Sequence, residues 1–249
     1  MLPTTVKTET AAVQPSRSPV ILAFAIVVLG FLGFALSELW TTARFTTLQR
    51  LAVKLEHGET VRGKAVGYYA ASTDRIIDGG YCRYDIIRAG VTTTLADIDR
   101  LNGSNNRKGW NEAVARADRL LLHAIGCVPT DGNYWVRLAM VRWTKGEKPD
   151  ELARLLQQSA WLAPAEKNVL AARFFLWNRV SVATLERAKE TLQTDLMTTL
   201  IHPPPWLANS IMSPIGLNIR RYVAEVDALL PAERHAQLVH FGLALDAPK

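Results

Sequence analysis

The chain has 249 residues, of which 49% are hydrophobic and 21% charged, with 29 basic and 23 acidic side chains and two cysteines. This apolar content excludes a disordered polymer, and the charged fraction excludes a polytopic membrane protein. Two cysteines are too few for a disulfide-rich mini-scaffold or a four-cysteine zinc site, and the formal charge of +6 permits an anionic partner without requiring one.

The apolar residues are concentrated near the N-terminus, after a tail (1–17) that we predict to be disordered. Twenty consecutive uncharged residues lie between Arg17 and Glu38, and about twenty helical residues span the ~30 Å hydrocarbon core of a bilayer. We therefore predict a transmembrane helix over 18–40. A cleaved signal peptide is the alternative, because Ala35-Leu36-Ser37 resembles a cleavage site, but the apolar run is longer than usual for one.

The flanking charges bear on orientation. More basic residues closely follow the segment (Arg44, Arg50 and Lys54) than precede it (Lys7 and Arg17). The positive-inside rule weakens ahead of a long domain, however, so we expect a signal anchor with the N-terminus in the cytoplasm. The chain is then a single-pass protein of the inner (cell) membrane with most of its length in the periplasm.

The two cysteines, Cys82 and Cys127, both follow the membrane segment. A disulfide between them would contribute about 3–4 kcal/mol in the chain-entropy model and would persist in an oxidising periplasm. The alternatives are two unpaired buried cysteines in a reducing compartment, or a reactive Cys82 whose pKa is lowered by its neighbour Arg83.

Gly30, Gly33 and Ser37 share one face of the predicted membrane helix. Small residues on one face allow close helix approach in lipid, so this face predicts pairing, either in a homodimer or with another membrane protein. Small residues are also common in membrane helices without any such role.

Beyond the membrane segment the periodicity is helical, which predicts a mainly α fold. In an N-terminal helical segment (41–106), a helix ends near Gly58, residues 74–80 form a break, and Ile86 to Leu101 forms one or two short helices.

Residues 107–200 carry a repeating pattern of small, large and proline residues. Its positions are Ala117, Leu121, Ala124, Pro129, Trp135, Leu138, Ala139, Leu156, Ser159, Leu162 and Pro164, followed by a weaker third set at Ala171, Ala172, Phe175, Leu185, Ala188 and Leu192. The chain here resembles the tetratricopeptide-like helical-repeat proteins, over roughly residues 98–200. The resemblance implies an array of antiparallel helix pairs, with small residues where helices touch and prolines where second helices stop.

The match to that family is incomplete. Pro129 and Pro164 are 35 residues apart, against about 34 in the repeat, so one residue is inserted near Lys145-Gly146-Glu147-Lys148. The first-helix signature is missing around 102–109, and a closing proline is missing near Met197.

A second resemblance rests on Cys127–Ala139 (CVPTDGNYWVRLA) and Ser159–Pro164 (SAWLAP). With a single N-terminal membrane helix before a helical domain, these segments look like accessory proteins of alphaproteobacterial polysaccharide biosynthesis and export loci. This likeness implies an accessory role near an envelope polysaccharide machine. Together with the anchor and the repeat spacing, it leads us to expect a non-catalytic scaffold whose partners are proteins of that machine. An assembly adaptor for another envelope system, such as cytochrome maturation, is an alternative.

The C-terminal segment (201–249) begins with a proline-rich connector, His202–Trp206. An amphipathic stripe from Ile215 to Leu230 and a final helix from Ala232 to Leu245 follow, and we predict that they form a capping helix pair.

Residues with catalytic chemistry are few. The chain contains no H-E-x-x-H, G-x-S-x-G or P-loop motif, and His123 stands among apolar residues as a core or groove histidine would. The carboxylate pair Asp97 and Asp99 has no feature that separates it from a solvated surface. We therefore expect no enzyme activity, no cofactor and no metal.

Basic and aromatic residues mix along the repeats, above all Arg137, Arg142, Trp143, Arg173 and Trp177. Aromatic rings stack on sugars and guanidinium groups pair with anions, so a groove contacting an anionic glycan or a protein partner is one interpretation. The other is that the tryptophans fill spaces between helices and the arginines are solvated. Nucleic acid is not expected, because of export and modest charge.

Overall fold

A computed structural model describes residues 18–102 and 106–245 of the chain. Every regular element within those ranges is a helix, so the mainly α prediction is confirmed. The predicted disordered tail (1–17) and the centre of the polar loop (103–105) lie outside the described residues. The chain divides into two units, Met1–Thr47 and Leu48–Lys249.

The described part of the first unit belongs to one helix, α1 (Ser18–Glu56), which is 39 residues long and continues into the second unit. Its apolar side chains from Val20 to Trp40 are exposed, and it is the one described helix that is long and apolar enough to cross a membrane. The predicted span of 18–40 is therefore the first part of a longer helix of about 58 Å.

The second unit contains twelve further α-helices and one 3-10 turn within the described residues. They are α2 (Gly63–Ser72), α3 (Asp74–Asp78), α4 (Tyr84–Asn102), α5 (Arg107–Cys127), α6 (Gly132–Lys145), α7 (Pro149–Leu162), α8 (Lys167–Trp177), α9 (Val182–Arg187), α10 (Lys189–Ile201), α11 (Pro205–Met212), the 3-10 turn Leu217–Ile219, α12 (Arg220–Asp227) and α13 (Ala232–His240).

Helices α4 to α7 pack in chain order, each against the next, and α8 packs on α6 and α7. Short turns fold α5 onto α6 and α6 onto α7. Six of the small and large residues in the predicted repeat pattern are buried between these helices: Ala117, Leu121, Ala124, Leu138, Ala139 and Leu156. Trp135 is half-buried instead, and its indole Nε1 donates to the Pro129 carbonyl oxygen at 2.9 Å.

Helices α5 and α7 end in the same backbone conformation. Val128 (φ −135°, ψ 71°) and Ala163 (φ −137°, ψ 66°) each precede a proline. Their N–H groups donate to the carbonyl oxygens of Ala124 (2.8 Å) and Ser159 (2.9 Å). The two exposed prolines, Pro129 and Pro164, thus occupy matching positions just after helix ends.

The structure differs from the predicted elements in three places. The break at 74–80 contains the short helix α3. Residues 86–101 lie in one helix, α4, which is one of the two outcomes predicted for them. Near Ala188, where a single second helix was predicted for the third repeat set, the chain breaks into α9 and α10.

The C-terminal segment differs most. Helix α11 starts at Pro205 inside the predicted connector, and the stripe from Ile215 to Leu230 divides into the 3-10 turn and α12. Helix α13 ends at His240, although Leu243 and Leu245 beyond it are buried. The predicted helix pair is therefore wrong in detail, because apolar periodicity does not distinguish a buried turn from a helix.

Candidate functional site: the α4–α6–α8 groove

A groove of about 1180 Å³ lies within the second unit. We call it the α4–α6–α8 groove, because those helices form most of its walls, together with the end of α1 and the turn between α5 and α6. The side chains that set its chemistry are Glu56, His57, Tyr84, Arg88, Asp99, Asp131, Asn133, Tyr134, Arg137, Glu166 and Phe175.

The side chain of Tyr134 forms part of the groove wall. Its side chain is almost wholly buried, and its hydroxyl has no hydrogen-bond partner among the described residues. Burial raises the pKa of this hydroxyl, and the negative charge of Asp131 raises it further. The ring of Tyr84 lies 6.5 Å away, centroid to centroid. A buried donor without a partner costs free energy. Because the hydroxyl itself is enclosed by the protein, a ligand would reach it only after neighbouring side chains move.

Arg137 and Asp99 place opposite charges in the same groove. Burial lowers the pKa of the Arg137 guanidinium and raises that of the Asp99 carboxyl, and each charge partly offsets the effect on the other. Arg137 makes two long contacts, from Nε to Asn133 Oδ1 at 3.3 Å and from Nη1 to Met140 Sδ at 3.6 Å. Because guanidinium has five N–H donors, most remain for a ligand.

A fixed ion pair stands at another edge of the groove. Arg88 donates from Nη2 to Glu56 Oε2 at 2.8 Å, and Thr92 donates to the other oxygen of the same carboxylate at 3.1 Å. The hydrogen bond to Glu56 raises the pKa of Arg88. This pair connects the end of α1 to α4 and neutralises both charges locally.

The overall charge of the groove is negative. Four carboxylates line it, against the guanidinium groups of Arg88 and Arg137. Because like charges repel in a partly desolvated site, the groove favours a ligand with basic or hydroxyl groups over a polyanion.

Of the five residues that sequence patterning assigned to a groove, only Arg137 lines this one. Arg142 Nε lies 2.5 Å from Asp118 Oδ1, and its Nη1 donates to Glu151 at 3.0 Å, so it connects α5, α6 and α7. Trp143 packs on the core, with its ring at right angles to that of Phe175.

Arg173 and Trp177 are in the core, and their assignment to an accessible groove is wrong. Both side chains are fully buried. Arg173 pairs with Asp195 (Nε to Oδ2, 2.7 Å), and Trp177 Nε1 donates to the same carboxylate oxygen at 2.9 Å. A buried guanidinium requires such a partner, which lies too far along the chain for local patterning to reveal.

The remaining predicted positions lie elsewhere. The structure joins Cys82 and Cys127 in a disulfide, and His123 Nε2 lies 3.0 Å from the Tyr81 carbonyl oxygen and 3.6 Å from Cys127 Sγ. On α1, a Cβ added to Gly30 or Gly33 would meet no atom within 4 Å, and Ser37 is exposed. The predicted helix-pairing face is thus accessible within its unit.

Sequence reasoning missed Tyr134 and Asp99 as groove residues. Asp99 belongs to the carboxylate pair noted above, but its neighbour Asp97 is buried against Arg100 (Oδ1 to Nη2, 2.6 Å), and only Asp99 lines the groove. The two carboxylates are two residues apart on α4, so their side chains lie on different faces of the helix.

No protein-family model, no curated protein and no solved structure matches the chain.

Proposed function

We propose that the protein is a membrane-anchored periplasmic scaffold whose α4–α6–α8 groove binds a segment of a protein partner in envelope polysaccharide synthesis or export. The observation that carries the proposal is the groove itself, with the remaining donors of Arg137 and its excess of carboxylates. The exposed apolar part of α1 supports the anchor.

A tetratricopeptide-like repeat array, as the sequence pattern predicts, would support a binding role. The matching ends of α5 and α7, together with the buried small residues Ala124 and Ser159 one turn before each end, are what two successive tetratricopeptide-like units require. In this interpretation α4, α6 and α8 are the first helices that form the concave wall, and α11 to α13 cap the array.

Charge selects the class of occupant. Asp99 and Asp131 would accept hydrogen bonds from a Lys or Arg side chain, while Arg137 would donate to backbone carbonyls of the same segment. A polyanionic glycan would bring its charge against three carboxylates, Asp99, Asp131 and Glu166, because the fourth is neutralised by Arg88. We therefore favour a basic protein segment over direct contact with an anionic glycan.

Complementation of a deletion strain tests the role. Loss of the gene should change the amount or chain length of surface polysaccharide, and the wild-type gene should restore it. Asp99→Arg reverses a groove charge and should fail to complement, whereas Asp150→Arg, at an exposed position outside the groove, should complement. Unchanged polysaccharide in the deletion strain would contradict the proposed role.

Two further measurements separate the alternatives. A topology reporter fused after Leu245 should be active in the periplasm, and activity confined to the cytoplasm would overturn the orientation. If purified anionic polysaccharide binds the full-length protein, and Asp99→Asn strengthens that binding, the glycan-binding interpretation replaces the scaffold.

A further inference from the structure

The disulfide has a third metal-ligating side chain beside it. Cys82 precedes α4, whereas His123 and Cys127 lie one turn apart on α5. One ligand atom from each of the three residues lies within 4.8 Å of the others, and Cys127 Sγ is 3.6 Å from His123 Nε2. Cys82 is exposed and the other two are half-buried, so solvent and a reductant reach the cluster.

From this juxtaposition we infer that reduction of the disulfide opens a binding site for one Cu(I) ion, with Cys82 Sγ, Cys127 Sγ and His123 Nε2 as ligands. A dithiol reductant supplies two electrons and two protons to the S–S bond and becomes a disulfide itself. Cu(I) then displaces the two thiol protons, which pass to solvent, and the ion is bound by two thiolates and a neutral imidazole.

The donor set selects the ion. Thiolates and imidazole are soft or borderline ligands, and they favour Cu(I) and Zn²⁺ over Mg²⁺ or Ca²⁺. Three donors satisfy Cu(I), whereas Zn²⁺ takes four ligands and would need water as the fourth.

The scaffold holds the donors together after reduction. The Cα atoms of Cys82 and Cys127 are 5.2 Å apart, and α4 and α5 pack extensively along their length. His123 has a competing partner, because its Nε2 lies 3.0 Å from the Tyr81 carbonyl oxygen. A nitrogen that donates a hydrogen to this carbonyl has no lone pair for a metal, so binding Cu(I) requires the imidazole to give up that contact.

The test uses the full-length protein in detergent, oxidised and reduced, with Cu(I) delivered from a chromophoric chelator under anaerobic conditions. The reduced protein should take one Cu(I) per chain and bind it about 100-fold or more tightly than the oxidised protein. His123→Ala should weaken binding about tenfold or more, and Cys82→Ser should remove it. His202→Ala, at an exposed histidine outside both the cluster and the groove, should bind as the wild type does.

Several outcomes would overturn the inference. They are equal Cu(I) affinity of the oxidised and reduced forms, unchanged affinity in His123→Ala, and a loss of helical circular dichroism on reduction that Cu(I) does not restore. A parallel titration with Zn²⁺ completes the test, since one Zn²⁺ bound without any uptake of Cu(I) would refute the choice of ion.

Discussion

Arg173 and Asp195 form a bidentate ion pair from which solvent is excluded. The Arg173 side chain is 0% exposed and that of Asp195 1%. Arg173 Nε and Nη2 donate to the two carboxylate oxygens at 2.7 and 2.8 Å, and Nη1 donates to the Ala163 carbonyl oxygen at 3.1 Å. The guanidinium therefore connects α8 to α10 and satisfies a backbone carbonyl just after α7 ends.

Removal of either partner leaves the other charge buried without compensation. Arg173→Ala or Asp195→Ala should lower the free energy of unfolding by about 3–5 kcal/mol. Arg187→Ala is the matched control, because Arg187 and Asp150 are 49% and 72% exposed and such a pair contributes at most about 1 kcal/mol. Urea denaturation of the full-length protein in detergent measures the difference. Equal effects of the buried and exposed variants would contradict this account.

Gly132 marks a close approach between α6 and the end of α7. A Cβ at this position would lie 2.7 Å from Ala163 Cβ and 2.9 Å from the Ser159 carbonyl oxygen. Gly132→Ala should therefore destabilise the fold by about 1–3 kcal/mol through overpacking. Gly126→Ala on α5 meets nothing within 4 Å and should leave stability unchanged or raise it by up to about 1 kcal/mol. Thermal unfolding of both variants tests the contact, and a stabilising Gly132→Ala would refute it.

The sequence predicts local features of this fold better than long-range ones. Apolar content identifies the part of α1 that is long and apolar enough to cross a membrane, and the residues before Pro129 and Pro164 adopt the helix ends expected of them. Arg173 could not be assigned in this way, since its partner Asp195 is 22 residues away and the periodicity of either helix alone does not pair them. Tyr134 as a groove residue likewise depends on the packing of several helices.

Glu147 lies in the turn between α6 and α7 and connects that turn to the start of α9. Its Oε1 accepts hydrogen bonds from the Ser181 N–H at 2.8 Å, from the Ser181 hydroxyl at 2.6 Å and from the Thr184 hydroxyl. Burial raises the pKa of Glu147, but these hydrogen bonds outweigh burial, and the net pKa lies below its ordinary value. The charged form is thus the one that the fold stabilises.

A carboxyl whose pKa is lower in the folded than in the unfolded state stabilises the fold fully at pH values above its unfolded-state pKa. This stabilisation is lost as the pH falls through the folded-state pKa. Glu147→Gln should therefore lower the free energy of unfolding by about 1 kcal/mol at pH 7 and by much less near pH 3. Exposed Glu112→Gln is the control and should change the free energy of unfolding by no more than about 0.5 kcal/mol. Thermal unfolding of both variants at pH 7 and near pH 3 measures the effect. An equal loss of stability in Glu147→Gln at both pH values would contradict the charge-based explanation.

The disulfide between Cys82 and Cys127 closes a loop with a sequence separation of 45 residues. In the chain-entropy model a loop of this size makes the cross-link worth about 4 kcal/mol, so Cys82→Ser/Cys127→Ser should unfold at a markedly lower urea concentration than the oxidised wild type. Reduced wild-type protein without metal should unfold at nearly the same urea concentration as the double variant, because both lack the cross-link.

The oxidation state of the two cysteines in cells tests the proposed compartment. A protein exported to the periplasm should carry the disulfide, so alkylation of free thiols in intact cells before lysis should leave both cysteines unmodified. Free thiols at both positions would contradict the proposed location.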